Sequence, residues 1–129
     1  MHELIFWGSF GLLTEVFFTA IKNAIVEKKA NLMGHTSLWM LPIYAYGLSY
    51  GLDFVKYYLP NDAVRYFTYP LWIWGVEMAV GLPATKLGVR IWDYGYLPDK
   101  WHWNRIISFA HFPLWILFGI LAETVHTYV

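Results

Sequence analysis

Four long apolar stretches constrain this chain more than any other feature. They cover about residues 4–21, 36–54, 64–82 and 106–125, and each is close to the ~20 residues that a helix needs to cross a bilayer. Because lipid offers the backbone no hydrogen-bond partners, such segments must be helical. The sequence therefore predicts an all-α polytopic membrane protein. Residues 1–129 are expected to form a single integral membrane domain, a bundle of four transmembrane helices.

The composition agrees with a membrane location. The chain is 58% hydrophobic, 21% aromatic and 14% charged, whereas soluble domains carry about 25% charged residues. A soluble bundle is the alternative, but too few polar residues remain to cover four outer helix faces. The net charge of zero gives no electrostatic case for nucleic-acid binding. The absence of cysteine excludes disulfides, thiolate metal sites and a cysteine nucleophile.

The basic residues predict an orientation in the cell membrane. Seven of the nine lysines and arginines lie in the first connection, residues 22–35, and the third, residues 83–105. The positive-inside rule then places these connections in the cytoplasm and both termini on the non-cytoplasmic side. The opening MHELIF lacks the basic region of a cleavable signal, so we expect the first stretch to be a retained span.

The two halves of the chain look related. The second and fourth stretches each contain a serine followed five residues later by a proline, at 37–42 and 108–113. Glu15 and Glu77 occupy matching places in the first and third stretches. The pattern predicts a duplicated helical hairpin, with the copies related by a pseudo-two-fold axis along the membrane normal.

Glu15 and Glu77 require a reason, because a carboxylate within a membrane span is costly. In one interpretation, each accepts hydrogen bonds from a loop and fixes that loop against the helices. The candidate donors are His35, Thr36 and Ser37 for Glu15, and Trp92, Tyr94 and Asn104 for Glu77. In the other, the two carboxylates line a polar site for a cation, a proton or the amine of a ligand. Candidate residues of this site are Glu15, Glu77, His35, Ser37, Trp92, Asp93, Tyr94 and His111.

Three further observations concern chemistry. His111 is expected inside the fourth helix, as a packing residue or a ligand. Glu123 and His126 stand one helical turn apart and could ligate zinc or another transition metal, or form a solvated pair near the chain end. No catalytic motif occurs, so the sequence favours a non-enzymatic role, and it leaves the cofactor unknown. An enzymatic reading would assign lipid or quinone chemistry to Glu77, His111 and the aromatic third connection.

Four segments resemble a known family: TEVFFTA around Glu15, GHTSLWMLPIYAYG at 34–47, LWIWGVEMAVG around Glu77 and WDYGYLP at 92–98. They are similar to the transmembrane protein 229 family and its bacterial relatives, the CmpB-like ABC-transporter type IV membrane proteins. The resemblance implies a small four-helix membrane protein and little about activity. Its motif residues are Glu15, Ser37, Trp39, Pro42, Tyr44, Glu77, Gly81, Trp92, Asp93 and Tyr94. The chain departs from the family pattern after WDY, where it carries WHWN.

The leading functional hypothesis is a small transport or permeation component, or a ligand-binding membrane protein. In this hypothesis Glu15 and Glu77 line a polar site open to the cytoplasm. The alternative is an accessory or structural subunit that packs against a larger membrane complex. The expected partners are the lipid bilayer and either further copies of the chain, as a homo-oligomer, or the subunits of that complex.

Overall fold

The structure is a computed structural model that describes residues 1–28 and 30–128. Within this range the chain forms four α-helices, and the predicted all-α class is confirmed. A short 3-10 helix (Asp99–Trp101) and a two-stranded antiparallel sheet separate the last two helices. The helices are α1 (His2–Glu27), α2 (Met40–Tyr58), α3 (Asp62–Lys86) and α4 (Phe112–Tyr128), and the strands are β1 (His102–Trp103) and β2 (Ile107–Ser108).

The start of the fourth helix lies six residues after its predicted position. The predicted stretch begins at residue 106, but Ile107 and Ser108 form β2 and α4 begins only at Phe112. Asn104 and Arg105 have φ angles of 49° and 62°, so they supply the left-handed conformation that a tight hairpin turn requires. The placement of His111 inside the helix is therefore wrong. His111 precedes α4, and its carbonyl accepts the first-turn hydrogen bond from the Trp115 amide at 2.8 Å.

Only α1, among the helices of the described residues, is by itself long and apolar enough to cross a membrane. The other three differ in composition or length. Helix α2 contains five tyrosines, α3 contains two tyrosines, two tryptophans and two prolines, and α4 has 17 residues, or roughly 26 Å at 1.5 Å per residue. A four-span arrangement therefore belongs with the proposals below.

The chain divides into two compact units, Met1–Gly51 and Leu52–Val129. In the first, glycines allow α1 and α2 to approach closely, because a Cβ on Gly11 would overlap the Tyr44 ring. The connection that follows α1 folds back and packs against α1 at Thr19. The Thr19 hydroxyl accepts a hydrogen bond from the His35 amide at 2.7 Å and donates to the His35 carbonyl at 2.8 Å.

In the second unit, both α4 and the β1–β2 hairpin pack against α3. The Tyr69 ring of α3 lies on Gly119 of α4, where a larger residue would overlap it. The hairpin is fixed by two indole groups. Trp74 donates to the Ser108 carbonyl at 3.0 Å, and Trp92 donates to the Ile106 carbonyl at 2.7 Å. These contacts bring the third connection over the middle of α3.

Candidate functional site

Glu77 is a buried carboxylate in the middle of α3, with an exposed fraction of 7%. Its Oε1 accepts a hydrogen bond from the Tyr94 hydroxyl at 3.0 Å, and Tyr94 is one of the donors that the sequence predicted. Gly81, one turn further along α3, leaves the space in which Trp92 lies against the helix. The third connection can therefore approach close enough for Tyr94 to reach Glu77.

An acid–aromatic cluster extends from this hydrogen bond. The His111 ring lies 5.5 Å from the Tyr94 ring and 5.4 Å from the Trp115 ring, measured between centroids. The Tyr96 hydroxyl lies 3.4 Å from His111 Nε2, and Tyr96 is exposed to solvent. Hydrogen-bonding and ionisable groups thus lead from a buried carboxylate to the protein surface. We call these five residues, Glu77, Tyr94, Tyr96, His111 and Trp115, the acid–aromatic cluster.

Asp93 and Trp92 have other partners and shape the connection around the cluster. Both Asp93 carboxylate oxygens accept hydrogen bonds from Arg105, and Oδ1 also accepts one from the Gly95 amide at 2.7 Å. Burial opposes ionisation of Asp93, but the bonds from Arg105 and Gly95 and the charges of Arg105 and Arg90 outweigh it. The pKa of the Asp93 carboxyl is therefore lowered from its ordinary value.

In the first unit, Glu15 accepts a hydrogen bond from the Tyr44 hydroxyl at 2.7 Å. His35 and Ser37 were suggested by the sequence as donors to this carboxylate; His35 acts on it electrostatically, and the hydrogen bonds that the two residues make go elsewhere. The backbone of His35 binds Thr19, and the Ser37 carbonyl accepts the Met40 amide hydrogen bond at 2.9 Å as α2 begins. The donor to Glu15 is therefore a side chain of α2. A site common to Glu15 and Glu77 stays a prediction.

A second charged centre of the unit Leu52–Val129 joins α3 to α4. Arg65 donates from Nε and Nη2 to the two carboxylate oxygens of Glu123, at 2.9 and 2.6 Å, and the Tyr69 hydroxyl donates to Glu123 Oε2 at 2.6 Å. Arg65 also donates to the Leu59 and Pro60 carbonyls, at 2.9 and 3.3 Å. The exposed fractions of the Arg65 and Glu123 side chains are 4% and 7%, so the pair is buried. We call it the Arg65–Glu123 pair.

The predicted metal ligands Glu123 and His126 are both engaged elsewhere. Both Glu123 oxygens accept hydrogen bonds from Arg65 or Tyr69, and His126 Nε2 lies 3.4 Å from Asp53 Oδ1. The described part of the chain contains no group of three or more histidine, aspartate or glutamate residues that could hold a metal. A metal at these positions stays a prediction, and it would have to displace the present donors.

One arrangement, which we call the glycine–tyrosine clasp, occurs in both units. A tyrosine ring lies on a glycine of the neighbouring helix, and its hydroxyl donates to a glutamate four residues after that glycine. The two sets are Gly11, Glu15 and Tyr44, and Gly119, Glu123 and Tyr69. The clasps therefore match Glu15 to Glu123, whereas the predicted duplication matches Glu15 to Glu77.

Sequence reasoning missed two members of the acid–aromatic cluster, although local spacing offered a signal for each. Tyr96 follows Tyr94 by two residues, which places both side chains on one side of an extended segment. Trp115 follows His111 by four residues, the spacing of neighbours at a helix start.

No family model and no solved structure matches this chain. The resemblance to the transmembrane protein 229 family therefore stays a prediction. Two pairs of residues from that resemblance do lie in contact, Glu15 with Tyr44 and Glu77 with Tyr94.

Proposed function

We propose that this chain is a four-span integral membrane protein that acts as a transport or ligand-binding component, with Glu77 at its acidic site. The first support is the apolar surface of the helices. Large apolar side chains are more than half exposed on α1, α3 and α4, which is unusual for a monomer in water. They include Leu13, Phe17, Ile21 and Ile25 on α1, Phe67 and Leu71 on α3, and Leu117 on α4.

The charges of α3 and α4 are compatible with lipid around these helices. Glu77 is buried, and Arg65 and Glu123 neutralise each other inside the helix pair. The two remaining charged residues of α3, Asp62 and Lys86, lie in its first and last turns. Charges at these places cost least in a membrane, because they face a partner or reach the interface. Helix α4 is short for a span, which local thinning of the bilayer can accommodate.

The proposed role of Glu77 as a binding site rests on one observation, the hydrogen bond from Tyr94 to this buried carboxylate. An ionisable group inside a membrane protein commonly marks the path or site of an ion or substrate. Here the carboxylate is held by a loop residue, and His111 and Tyr96 connect that residue to the surface. We propose that a small cation or an amine binds at Glu77 and thereby alters the Tyr94 contact. Binding would then be communicated to the third connection.

The orientation follows from the distribution of basic residues. The third connection carries Lys86, Arg90, Lys100 and Arg105, so the proposal places it in the cytoplasm and both termini on the other side. Glu77 precedes the end of α3 by nine residues, about 14 Å along the helix. The site would thus open towards the cytoplasm.

The Glu77→Gln variant tests this function, with Glu15→Gln as its matched control. Both changes remove a carboxylate that accepts one tyrosine hydrogen bond, but only Glu77 belongs to the acid–aromatic cluster. We expect native mass spectrometry of protein released gently from its own membrane to find a reproducible small bound mass. That mass should persist in Glu15→Gln and be lost in Glu77→Gln. Equal retention by both variants would contradict a site at Glu77.

An accessory subunit of a larger membrane complex is the second candidate, and the outer face of α2 favours it. Tyr46 and Tyr50 are more than half exposed and stack with ring centroids 6.1 Å apart near the middle of this helix. Phenol hydroxyls at mid-span are better satisfied by a protein partner than by hydrocarbon. Release together with larger subunits at fixed stoichiometry, without a small bound mass, would support this candidate over the first.

A further inference from the structure

Two clefts of different chemistry meet at Trp103 in the second unit. The first has a volume of about 550 Å³ and lies between the end of α3 and the β-hairpin. Its polar lining consists of Thr85, Arg90, Asp99, His102, Asn104 and Arg105. The second has a volume of about 410 Å³ and an apolar lining that includes Leu71, Trp74, Met78, Ile107 and Phe109. Trp103 lines both clefts.

The first cleft suits an anion of phosphate type. It contains two guanidinium groups, and arginine binds phosphate oxygens through paired hydrogen bonds. Arg105 is bound to Asp93 through two hydrogen bonds, whereas Arg90 acts on Asp93 through its charge and makes one long hydrogen bond, to the Asn104 carbonyl at 3.5 Å. The carboxylate of Asp99 lies at the edge of this cleft, with Oδ1 3.4 Å from His102 Nε2. Arg90 is therefore the cation best placed to receive an incoming anion.

The second cleft suits a hydrocarbon chain. Its lining is aliphatic and aromatic, and a Cβ added at Gly75 would meet no atom within 4 Å, so the cleft is open at this glycine. Trp103 stands at the junction and is 39% exposed, as is typical of tryptophan at a membrane interface. A basic cleft joined to an apolar one matches a molecule with an anionic head and a hydrocarbon tail.

We propose that the second unit binds one anionic phospholipid, with its phosphate in the basic cleft at Arg90 and an acyl chain in the apolar cleft at Gly75. This inference rests on the membrane embedding proposed above. It agrees with the proposed cytoplasmic position of the third connection, because anionic lipids concentrate in the cytoplasmic leaflet and attract basic segments there. The site is separate from the acid–aromatic cluster, since neither cleft is lined by a member of that cluster.

The test uses the full chain in vesicles of phosphatidylcholine with increasing phosphatidylglycerol, followed by native mass spectrometry of the lipid that stays bound. We expect Arg90→Gln to lower phosphatidylglycerol retention about tenfold, while Lys100→Gln, which removes the same charge from the same connection outside the cleft, keeps it. Gly75→Leu should lower retention by a similar factor, because its side chain fills the apolar cleft. Gly51→Leu, at another open glycine, should not.

Three outcomes would overturn the proposal. Equal retention by Arg90→Gln and Lys100→Gln would mean that charge attracts the lipid without a site. If inorganic phosphate displaced the bound phosphatidylglycerol and Gly75→Leu retained as much lipid as the wild type, the basic cleft would be a site for free phosphate only. A wild-type chain that resists alkaline carbonate extraction but retains no phosphatidylglycerol would refute the lipid site while leaving the membrane embedding intact. Release of the wild-type chain by carbonate would instead remove the premise.

Discussion

Replacing Arg65 by methionine is expected to lower the free energy of unfolding by roughly 3–5 kcal/mol, because it removes the guanidinium from a buried carboxylate. Lys56 then is the nearest cation, at 3.9 Å from Glu123 Oε1 and itself partly exposed. Glu123 accepts two of its three side-chain hydrogen bonds from Arg65, and neither residue has much access to water. The same substitution releases the Leu59 and Pro60 carbonyls, which Arg65 binds at the start of α3. Denaturant unfolding in detergent micelles measures the change.

The double variant Arg65→Met with Glu123→Met separates the lost pair from a simple packing defect. Replacing a buried ion pair by apolar side chains is often close to neutral, so we expect the double variant to recover most of the stability. Lys100→Met serves as the control, because it removes an exposed charge and should change stability by less than about 0.5 kcal/mol. If Arg65→Met were as stable as Lys100→Met, the Arg65–Glu123 pair would not hold α3 to α4.

Gly11→Ala is expected to destabilise the first unit by about 1–3 kcal/mol or more, the range for overpacking a close contact. A Cβ at this position would overlap Cβ, Cγ and Cδ2 of Tyr44, so the ring must move away from α1. That movement also breaks the hydrogen bond from Tyr44 to Glu15, with a further cost of about 1–3 kcal/mol if the carboxylate stays unsatisfied. The midpoint of thermal unfolding in micelles is the readout.

Gly47→Ala is the matched control for this effect. Gly47 lies in α2, the helix that supplies Tyr44, but a Cβ there would meet no atom within 4 Å. Alanine favours a helix by about 1 kcal/mol relative to glycine, so the control should leave stability unchanged or raise it. Equal behaviour of Gly11→Ala and Gly47→Ala would show that the clasp in the first unit tolerates a methyl group.

The apolar stretches predicted the number and order of the helices, because a long run of apolar residues favours a helix independently of contacts with the rest of the chain. They failed at residues 106–111, where Ile106 and Ile107 read as the start of a span. An apolar run this short cannot distinguish a buried strand from a helix. The left-handed conformations at Asn104 and Arg105 decide the matter, and only the hairpin as a whole stabilises them.

The sites were less predictable, because they depend on contacts between distant residues. The sequence offers Glu123 as a metal ligand or as part of a solvated pair with His126, yet Glu123 forms a buried pair with Arg65, 58 residues away. The sequence did offer an indication of this pair, since Arg65 lies in the first turn of α3 and Glu123 lies near the end of α4. Consecutive antiparallel helices bring such positions together. Tyr69 carries no comparable signal, because its role depends on the packing of its ring against Gly119.

The four-span arrangement is the central claim, and single cysteines test it directly because the chain has none of its own. Cysteines replace Lys28, Asn61 and Lys100, one in each connection, and intact cells are treated with a membrane-impermeant maleimide. We predict that position 61 is labelled at once, whereas positions 28 and 100 are labelled only after the cells are permeabilised. If α1 were the sole span, positions 61 and 100 would lie on the same side and label alike, and that result would contradict the account.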